Sequence, residues 1–373
     1  MPPLGGGMEI KMTELEKARR DINEIDIEIA RLFEKRMDAA GKVAEYKMET
    51  GMQVCDPVRE EELVRRNAGY IKNIEYTSYY INFIQNCMEI SKNYQRRIIE
   101  GMKVAYSGVE GAFANIAAEK IFPDSVYVAC PDFKSAYDAV VSGECNCAVL
   151  PIENSYNGDV GQVMDLAFFG SLFINGIYDV SIVQNLLAVP GATIADIKTV
   201  ISHPQALGQC ADYIREHGFD SEEAVNTAVA AKKVAEMGRR DVAAIASGDA
   251  AEKFGLVKLD GHINSADNNT TRFAVFSRVP KAVSQADKQF FMVFTVSNEA
   301  GALGRAISII GKYNFNLRSL KSRPTKDLIW SYYFTAEGEG NIHTEAGREM
   351  LSELGNCCRD LKVLGSFERE INL

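Results

Sequence analysis

Residues 267–276 read DNNTTRFAVF, which sets amides, hydroxyls and a guanidinium directly before an alternating apolar run. Phe273 to Phe276 read as a strand, so the polar cluster is its entry loop, with Thr271 and Arg272 at the mouth. A turn needs less hydrogen-bonding capacity, and an N-glycan acceptor at Asn269-Thr270-Thr271 would require a secreted chain. A second concentration of polar groups is spread along helices near the N-terminus. The heptad series Leu15, Ile22, Ile29, Arg36, Val43 is apolar except for Arg36. The adjoining series Arg19, Asp26, Phe33, Ala40, Lys47 begins and ends on cations. Further on, Ile81, Ile84, Met88, Ser91, Gln95, Ile98 keep helical spacing, with Ser91 and Gln95 where apolar residues belong. Between these runs Asp56-Pro57 starts a helix, and Arg59 and Glu60 fall in its first turn. Singly, each has a plain explanation: Asp56 caps, Glu60 suits the helix dipole, an arginine on an apolar stripe snorkels. Arg19, Arg36, Lys47, Ser91 and Gln95 directed together into one helical domain call for more, because burying them unpartnered is costly. The set points to a small anionic ligand.

The elements that must position these groups divide the chain into three segments. With 373 residues there is room for two or three domains. The first helix, roughly Glu14 to Glu49, would exceed 50 Å at about 1.5 Å per residue, too long for one small domain to cover. A helix shared between two chains is the economical solution, so a homodimer or higher homo-oligomer is expected. From Met102 strands and helices alternate: MKVAYSG, AFANIAAEKIF, CAVLPIENS, IKTVISHPQ, DVAAIASGD and TRFAVFSR. That alternation predicts mainly parallel sheets in two lobes around a cleft. Sites in such sheets lie beyond the strands' carboxyl ends, which gathers Glu153, Asn154, Ser155, Ser202, His203, Pro204, Gln205 and Ser247. After the polar linker KAVSQADK, residues 289–373 follow a β-α-β-β-α-β order and read as a separable unit.

Composition narrows the classes. A net charge of −10 argues against nucleic-acid binding, and no apolar stretch approaches a spanning helix. The opening MPPLGGGMEIKM lacks an apolar signal region and reads as a loose leader, with Met8 or Met12 as alternative starts. The eight cysteines follow neither a metal pattern nor a disulfide framework, so a reducing, cytoplasmic location is expected. The four histidines are scattered, and no metal or other cofactor is expected. The stretch GVEGAFANIAA suggests a dinucleotide turn, but Gly108-x-x-Gly111 lacks the G-x-G-x-x-G order that a nicotinamide enzyme needs.

Three resemblances bring these readings together. Residues 8–99 resemble the intertwined all-helical chorismate mutases through RRDINEIDIEIARLFEKRMDAAGKVAEYK, VCDPVREEEL and EISKNYQ. The resemblance implies that Arg19, Arg36 and Arg59 hold the two carboxylates of chorismate, one arginine coming from a partner chain. It places Lys47 and Gln95 at the ether oxygen, and Asp56, Glu60 and Ser91 around the ring and its hydroxyl. A Claisen rearrangement suits these types, since it needs only a compact conformer and donors at the oxygen gaining charge.

Residues 102–279 resemble the prephenate dehydratases through VLPIENSYNGDV, VISHPQALGQC and the TRF element. That family treats the threonine, here Thr271, as catalytic, and implies Arg272 as carboxylate anchor or loop organiser. Asn154, Ser155, Ser202 and Gln205 fall among the substrate-binding positions. A threonine hydroxyl is a poor acid, so His203 or Glu153 is expected to share proton delivery, His203 serving equally well as a cap. Val109, Ala114 and Asn115 depart from the family's usual Pro, Ser and His. Residues 289–373 resemble the ferredoxin-like ACT regulatory domain. The resemblance implies phenylalanine as effector, held by Gly301, Ala302, Leu303, Gly304, Asn316, Ser322, Arg323 and Pro324. Lys321 inverts the charge of that family's ESRP element, which alters either feedback or an inter-domain contact. The expected fold is thus multidomain: all-α intertwined, then two-lobed α/β, then α+β ferredoxin-like. The expected function is that of a bifunctional mutase–dehydratase converting chorismate through prephenate. A mutase fused to a dehydrogenase is the enzymatic alternative, and a cleft-type binding protein the non-enzymatic one.

Overall fold

A computed structural model describes residues 13–265, 269–325 and 331–373. The leader with Met8, together with Asp267 and Asn268 of the polar loop, lies outside the described residues, as do residues 326–330. The chain divides into two compact units, Met1–Gly101 and Met102–Leu373.

The first unit contains α1 (Glu14–Thr50), α2 (Pro57–Ala68) and α3 (Thr77–Glu100). Thr13 and Glu16 start α1 with a reciprocal capping box, and Gly51, at φ 69°, ends it in the left-handed region where a side chain is disfavoured. Asp56 accepts the Arg59 N–H at 3.1 Å and Pro57 fills the first position of α2. Ala40 and Ala44 of α1 are buried, as are Cys87, Met88, Ser91 and Gln95 of α3. Residues 13–35 of α1 are all exposed.

The second unit opens with β1 (Lys103–Ser107), α4 (Phe113–Ile121), β2 (Val126–Cys130) and α5 (Phe133–Val141). Next come β3 (Cys147–Asn154), β4 (Gly158–Asp159), α6 (Gly161–Phe169) and β5 (Phe173–Ser181). The chain then crosses to a second lobe built from β6 (Asn185–Ala188), β7 (Thr199–Ser202), α7 (Pro204–Gln209), α8 (Ala211–His217) and β8 (Asp220–Glu223). That lobe continues with α9 (Thr227–Met237), β9 (Val242–Ala246), α10 (Gly248–Phe254) and β10 (Val257–Gly261). Strand β11 (Thr270–Ser277) returns to the first lobe. The remainder is β12 (Gln289–Val296), α11 (Ala302–Lys312), β13 (Asn316–Pro324), β14 (Tyr332–Glu339), α12 (Glu345–Cys357), β15 (Cys358–Phe367) and β16 (Ile371–Asn372).

The first lobe's sheet runs β16-β5-β11-β3-β1-β2 with β4 beside β3, and the second lobe's runs β10-β6-β9-β7-β8. Both are mixed rather than mainly parallel. β11 enters from the opposite lobe and lies antiparallel to both β3 and β5, and β6 opposes β9 and β10 for the same reason. The crossing segments are stitched together by Ile182 N–H to Asn269 O at 2.8 Å and Ile263 N–H to Gln184 O at 3.0 Å. The third sheet, β13-β14-β12-β15 with α11 and α12, has the order of a ferredoxin-like unit.

The third segment packs directly on the first lobe. Phe291, Val293, Leu364 and Phe367 belong to the same buried cluster as Leu150, Ile174, Ile177 and Phe276 of the first lobe. β16 extends that lobe's sheet, pairing in parallel with Tyr178 and Asp179 of β5. Gly365 allows β15 to approach β5 so closely that a Cβ there would lie 1.9 Å from Ile174 O. Gly365→Ala is therefore expected to destabilise the whole second unit by about 1–3 kcal/mol, the usual cost of overpacking, read from its urea midpoint. An unchanged midpoint would mean that the two layers part without cost.

Candidate active sites

In the helical unit the structure gathers some expected residues and leaves others apart. Arg36 donates to Cys87 O at 2.7 Å and to the Ser91 hydroxyl, which itself donates to Cys87 O at 3.0 Å. Gln95 lies one turn further along α3 and is buried, with no hydrogen-bond partner for its Oε1. Lys47 donates to Val54 O at 2.7 Å, and Glu60 accepts from Lys92 at 2.9 Å. Lys92 was not among the expected residues; burial works against its ammonium, but bonds to Glu89 and then Glu60 outweigh it and raise its pKa. Asp56 is occupied as a cap and the Arg59 side chain is exposed. Arg19 is exposed on the uncovered half of α1, about 25 Å along the axis from Arg36 at 1.5 Å per residue. It cannot serve the same site within one chain.

In the second unit a cavity of about 230 Å³ lies between the lobes. Asn154 at the end of β3 and Thr271 at the start of β11 face it from one lobe; His203 and Gln205 face it from the other. The buried Asn154 donates from Nδ2 to Thr271 Oγ1 at 2.9 Å and to Asn269 Oδ1 at 3.1 Å. Its Oδ1 accepts the backbone N–H groups of Tyr156 and Asn157, which fixes the amide orientation. With an N–H already directed at the Thr271 oxygen, the threonine's own proton is left to donate elsewhere. His203 caps α7, its Nδ1 accepting the Gln205 N–H at 3.2 Å. That bond requires a neutral imidazole with its proton on Nε2.

Other expected residues support the cleft without lining it. Ser202 is fully buried and donates to Ile245 O; Ser155 accepts the Thr270 N–H at 3.0 Å; Ser247 caps α10. Sequence reasoning missed Gln184, Gln209, Asn226 and Thr227, which line the cavity. Gln184 is 2% exposed and its Oε1 has no hydrogen-bond partner among the described residues. Asn115, a departure from the family pattern, accepts from Gly111 N–H at 2.8 Å and from Lys253 Nζ at 2.6 Å, joining the two lobes.

Glu153 and Arg272 do not line the cavity. In a strand neighbouring side chains point to opposite faces, so each lies on the reverse side from Asn154 and Thr271. There Arg272 donates to Glu153 at 2.9 Å, to Glu337 at 2.7 Å and to Glu370. On this face Arg272 is held among carboxylates, and Glu153 between Arg272 and Lys321. Lys321 bridges Glu153 and Asp159, at 2.6 Å each, so its inverted charge bears on an inter-domain contact. In the third segment Gly301, at φ 80°, precedes α11, and of the eight expected effector residues only Leu303 lines the broad cavity of about 930 Å³ beside it. Ser322 and Pro324 are exposed on β13, Asn316 donates to Glu339 at 2.9 Å, and Arg323 is held by Asp165 at 3.1 Å and the Tyr333 hydroxyl.

Fold and sites define a two-module protein, a helical unit carrying a cluster of cationic and amide side chains joined to a two-lobed α/β unit with a hydroxyl-bearing cleft. Residues 18–96 match the family model of chorismate mutase type II, and residues 104–281 that of prephenate dehydratase. The bifunctional chorismate mutase/prephenate dehydratase of Neisseria gonorrhoeae is 31% identical over 94% of this chain and 95% of its own. Arogenate dehydratase 2 of Petunia hybrida is 34% identical over 71% of each. Among solved structures, a protein described as the quorum-quenching acylase GqqA aligns at TM-score 0.67 and 31% identity, over 71% of this chain and 97% of that one. The prephenate dehydratase of Arthrobacter aurescens, solved in complex with L-Phe, aligns at TM-score 0.66 and 27% identity, over 72% and 90%. The chain belongs to the bifunctional chorismate mutase/prephenate dehydratase family. It is an enzyme with both activities and works in phenylalanine biosynthesis.

The reverse-face ion cluster also has a pH signature. Burial would raise the Glu153 pKa, but hydrogen bonds from Lys321 and Arg272 outweigh it and hold the carboxyl below its ordinary value. Stability from such a group is present above its unfolded-state pKa and lost as pH falls through the folded one. Asp179 runs the other way: burial, then the Glu370 charge, raises its pKa, so its share is lost as pH rises through the folded value. Comparison with Lys321→Met isolates the first effect. Between about pH 7 and about pH 3 the urea midpoint of the wild type should fall further than that of the variant. Equal falls would show that Lys321 does not set the Glu153 carboxyl.

Proposed function

We propose that dehydration takes place in the inter-lobe cavity, with Thr271 hydrogen-bonding the departing ring hydroxyl of prephenate. The supporting observation is the Asn154 amide donating to Thr271 Oγ1 at 2.9 Å, which turns the threonine into a donor toward the cavity. His203 donates a hydrogen bond from its Nε2–H to the leaving oxygen, and the one proton that converts that oxygen to water is drawn from solvent. The ring carboxylate leaves as carbon dioxide, and its bonding electrons enter the ring as the carbon–oxygen bond breaks. Prephenate dianion plus one proton gives phenylpyruvate, carbon dioxide and water, and aromatisation supplies the driving force. The protein supplies orientation and charge placement. Gln205 steadies Asn154, its Nε2 lying 3.5 Å from Asn154 Oδ1.

In the helical unit Arg36 and Arg59 take carboxylates of chorismate, and Lys47 and Gln95 face its ether oxygen. Asp56, Glu60 and Ser91 surround the ring. The unpartnered Gln95 Oε1 and the Arg36–Ser91 contact support a polar ligand at this point. Arg19 acts in the site of a second copy, so the enzyme is a homodimer or larger. Leu32 at 63% exposure and Ile22 at 56%, on a helix half exposed among the described residues, support that arrangement. Phenylalanine is the effector, bound by the N–H groups at the turn Gly301–Gly304 of an ACT-type unit; the L-Phe in the Arthrobacter relative supports the ligand. A reducing, cytoplasmic location accompanies this reading.

Two substitutions separate the chemistries. Lys47→Ala is expected to lower chorismate mutase activity by at least roughly a hundredfold and leave dehydration of supplied prephenate intact. Thr271→Ala should do the reverse. Loss of both activities in either folded variant would overturn the two-site assignment. Leu32→Glu tests the shared helix: sedimentation should show a smaller species and mutase activity should collapse while dehydration persists. A variant of unchanged size and full mutase activity would mean that this face is not the interface.

A further inference from the structure

Strands β3 and β11 each carry two successive residues with opposite employment. Asn154 and Thr271 line the cavity, while Glu153 and Arg272 face the C-terminal segment. Arg272 is 16% exposed in its side chain and is surrounded by carboxylates from different elements. Glu153 comes from β3, Asp179 from β5, Glu337 from β14 and Glu370 from the segment between β15 and β16. Glu337 is engaged through both oxygens, at 3.0 and 2.7 Å, a fork that lysine could not reproduce. Glu370 is tied a second time by Arg318 at 3.1 Å, and β16 anchors beside it, with Leu373 N–H on Asp179 O at 2.9 Å. Lys321 closes the ring through Glu153 and Asp159. Two members of the group are not fully satisfied. Arg272 Nε and Asp179 Oδ1 are buried without hydrogen-bond partners and stand 3.8 Å apart, about 1 Å beyond a normal bond.

We propose that Arg272 and Glu153 are positioning residues through which β14, β13 and segment 368–373 hold Thr271 and Asn154 in catalytic register. The inference rests on the assignment of Thr271 to the dehydration step. Arg272 shares a peptide unit with Thr271, and Glu153 shares one with Asn154. A displacement of the third sheet that pulls Glu337, Lys321 or Glu370 therefore moves the cavity-facing pair without touching substrate. The open Arg272–Asp179 gap supplies a second arrangement for the guanidinium. Occupation of the third sheet by an effector thus reaches the chemistry through charged side chains on the reverse of the same two strands.

The test uses the full chain with Glu337→Gln combined with Glu370→Gln, and separately a chain ending at Phe367. Prephenate dehydration is measured at steady state beside chorismate mutase activity and the urea midpoint. Both variants are expected to lose kcat for dehydration by roughly tenfold or more with KM within about threefold, while mutase activity is unchanged. A structural role alone would lower the midpoint and leave kcat per folded molecule intact, and that outcome overturns the proposal. If either variant fails to fold, Lys321→Met, at a half-exposed position, decides: kcat equal to wild type overturns the proposal. Thr271→Ala in the same assay separates the two levels. Activity retained there would remove the catalytic assignment itself. Activity lost there but kept in the Glu337/Glu370 variant would remove only the positioning role.

Discussion

The two-residue period of a β-strand is the constraint on which the larger unit depends. Because neighbours in β3 and β11 face opposite sides, a cavity-lining amide and hydroxyl are each next to a charged residue that cannot enter the cavity. Those charges are half-buried on the other face and need partners there. The partners come from the ferredoxin-like sheet, from its extended edge and from β5. Packing follows the same logic: Phe291 and Leu364 join the first lobe's core, and Gly365 removes the side chain that would hold the layers apart. The third segment thus packs as a layer against the first lobe.

The helical unit depends on a different constraint, the length of α1. Its second half is covered by α3, through Ala40, Ala44 and the polar Arg36–Ser91 contact; its first half is exposed among the described residues. Arg19 sits in the uncovered part and Arg36 in the covered part. Under the proposed assignment, a site that uses both is assembled from two copies of the chain. The larger unit's cavity, by contrast, is lined from residues 112–271 of one chain.

Much of this was legible in the sequence, and the reasons differ by element. α1 was announced by a heptad pattern interrupted only at Arg36 and by the lack of an internal proline, and α2 by Asp56-Pro57, both local signals. The β-α-β-β-α-β order of the third segment was readable from alternation of period. Sheet polarity was not: whether β11 runs with or against its neighbours is decided by the crossing between lobes, and nothing local encodes it. For Glu153 and Arg272 the sequence showed proximity to Asn154 and Thr271 without showing which face each would take. Gln184 and Gln209 were invisible because a lone amide in a connecting segment or a short helix has no spacing to recognise. Lys92 looked like any exposed cation until α2 brought Glu60 beside it.

The pairing of β16 with β5 has a consequence for how the protein is made. β5 emerges from the ribosome long before residues 371–372, and until they arrive its outer edge presents unpaired backbone groups on a hydrophobic strand. Arg272 likewise waits for Glu337 and Glu370 among carboxylates and apolar surface. Contacts of such long sequence separation form late. The cleft is therefore expected to stay unformed and edge-exposed during most of synthesis, and a nascent chain arrested before β15 would be the species most prone to associate wrongly.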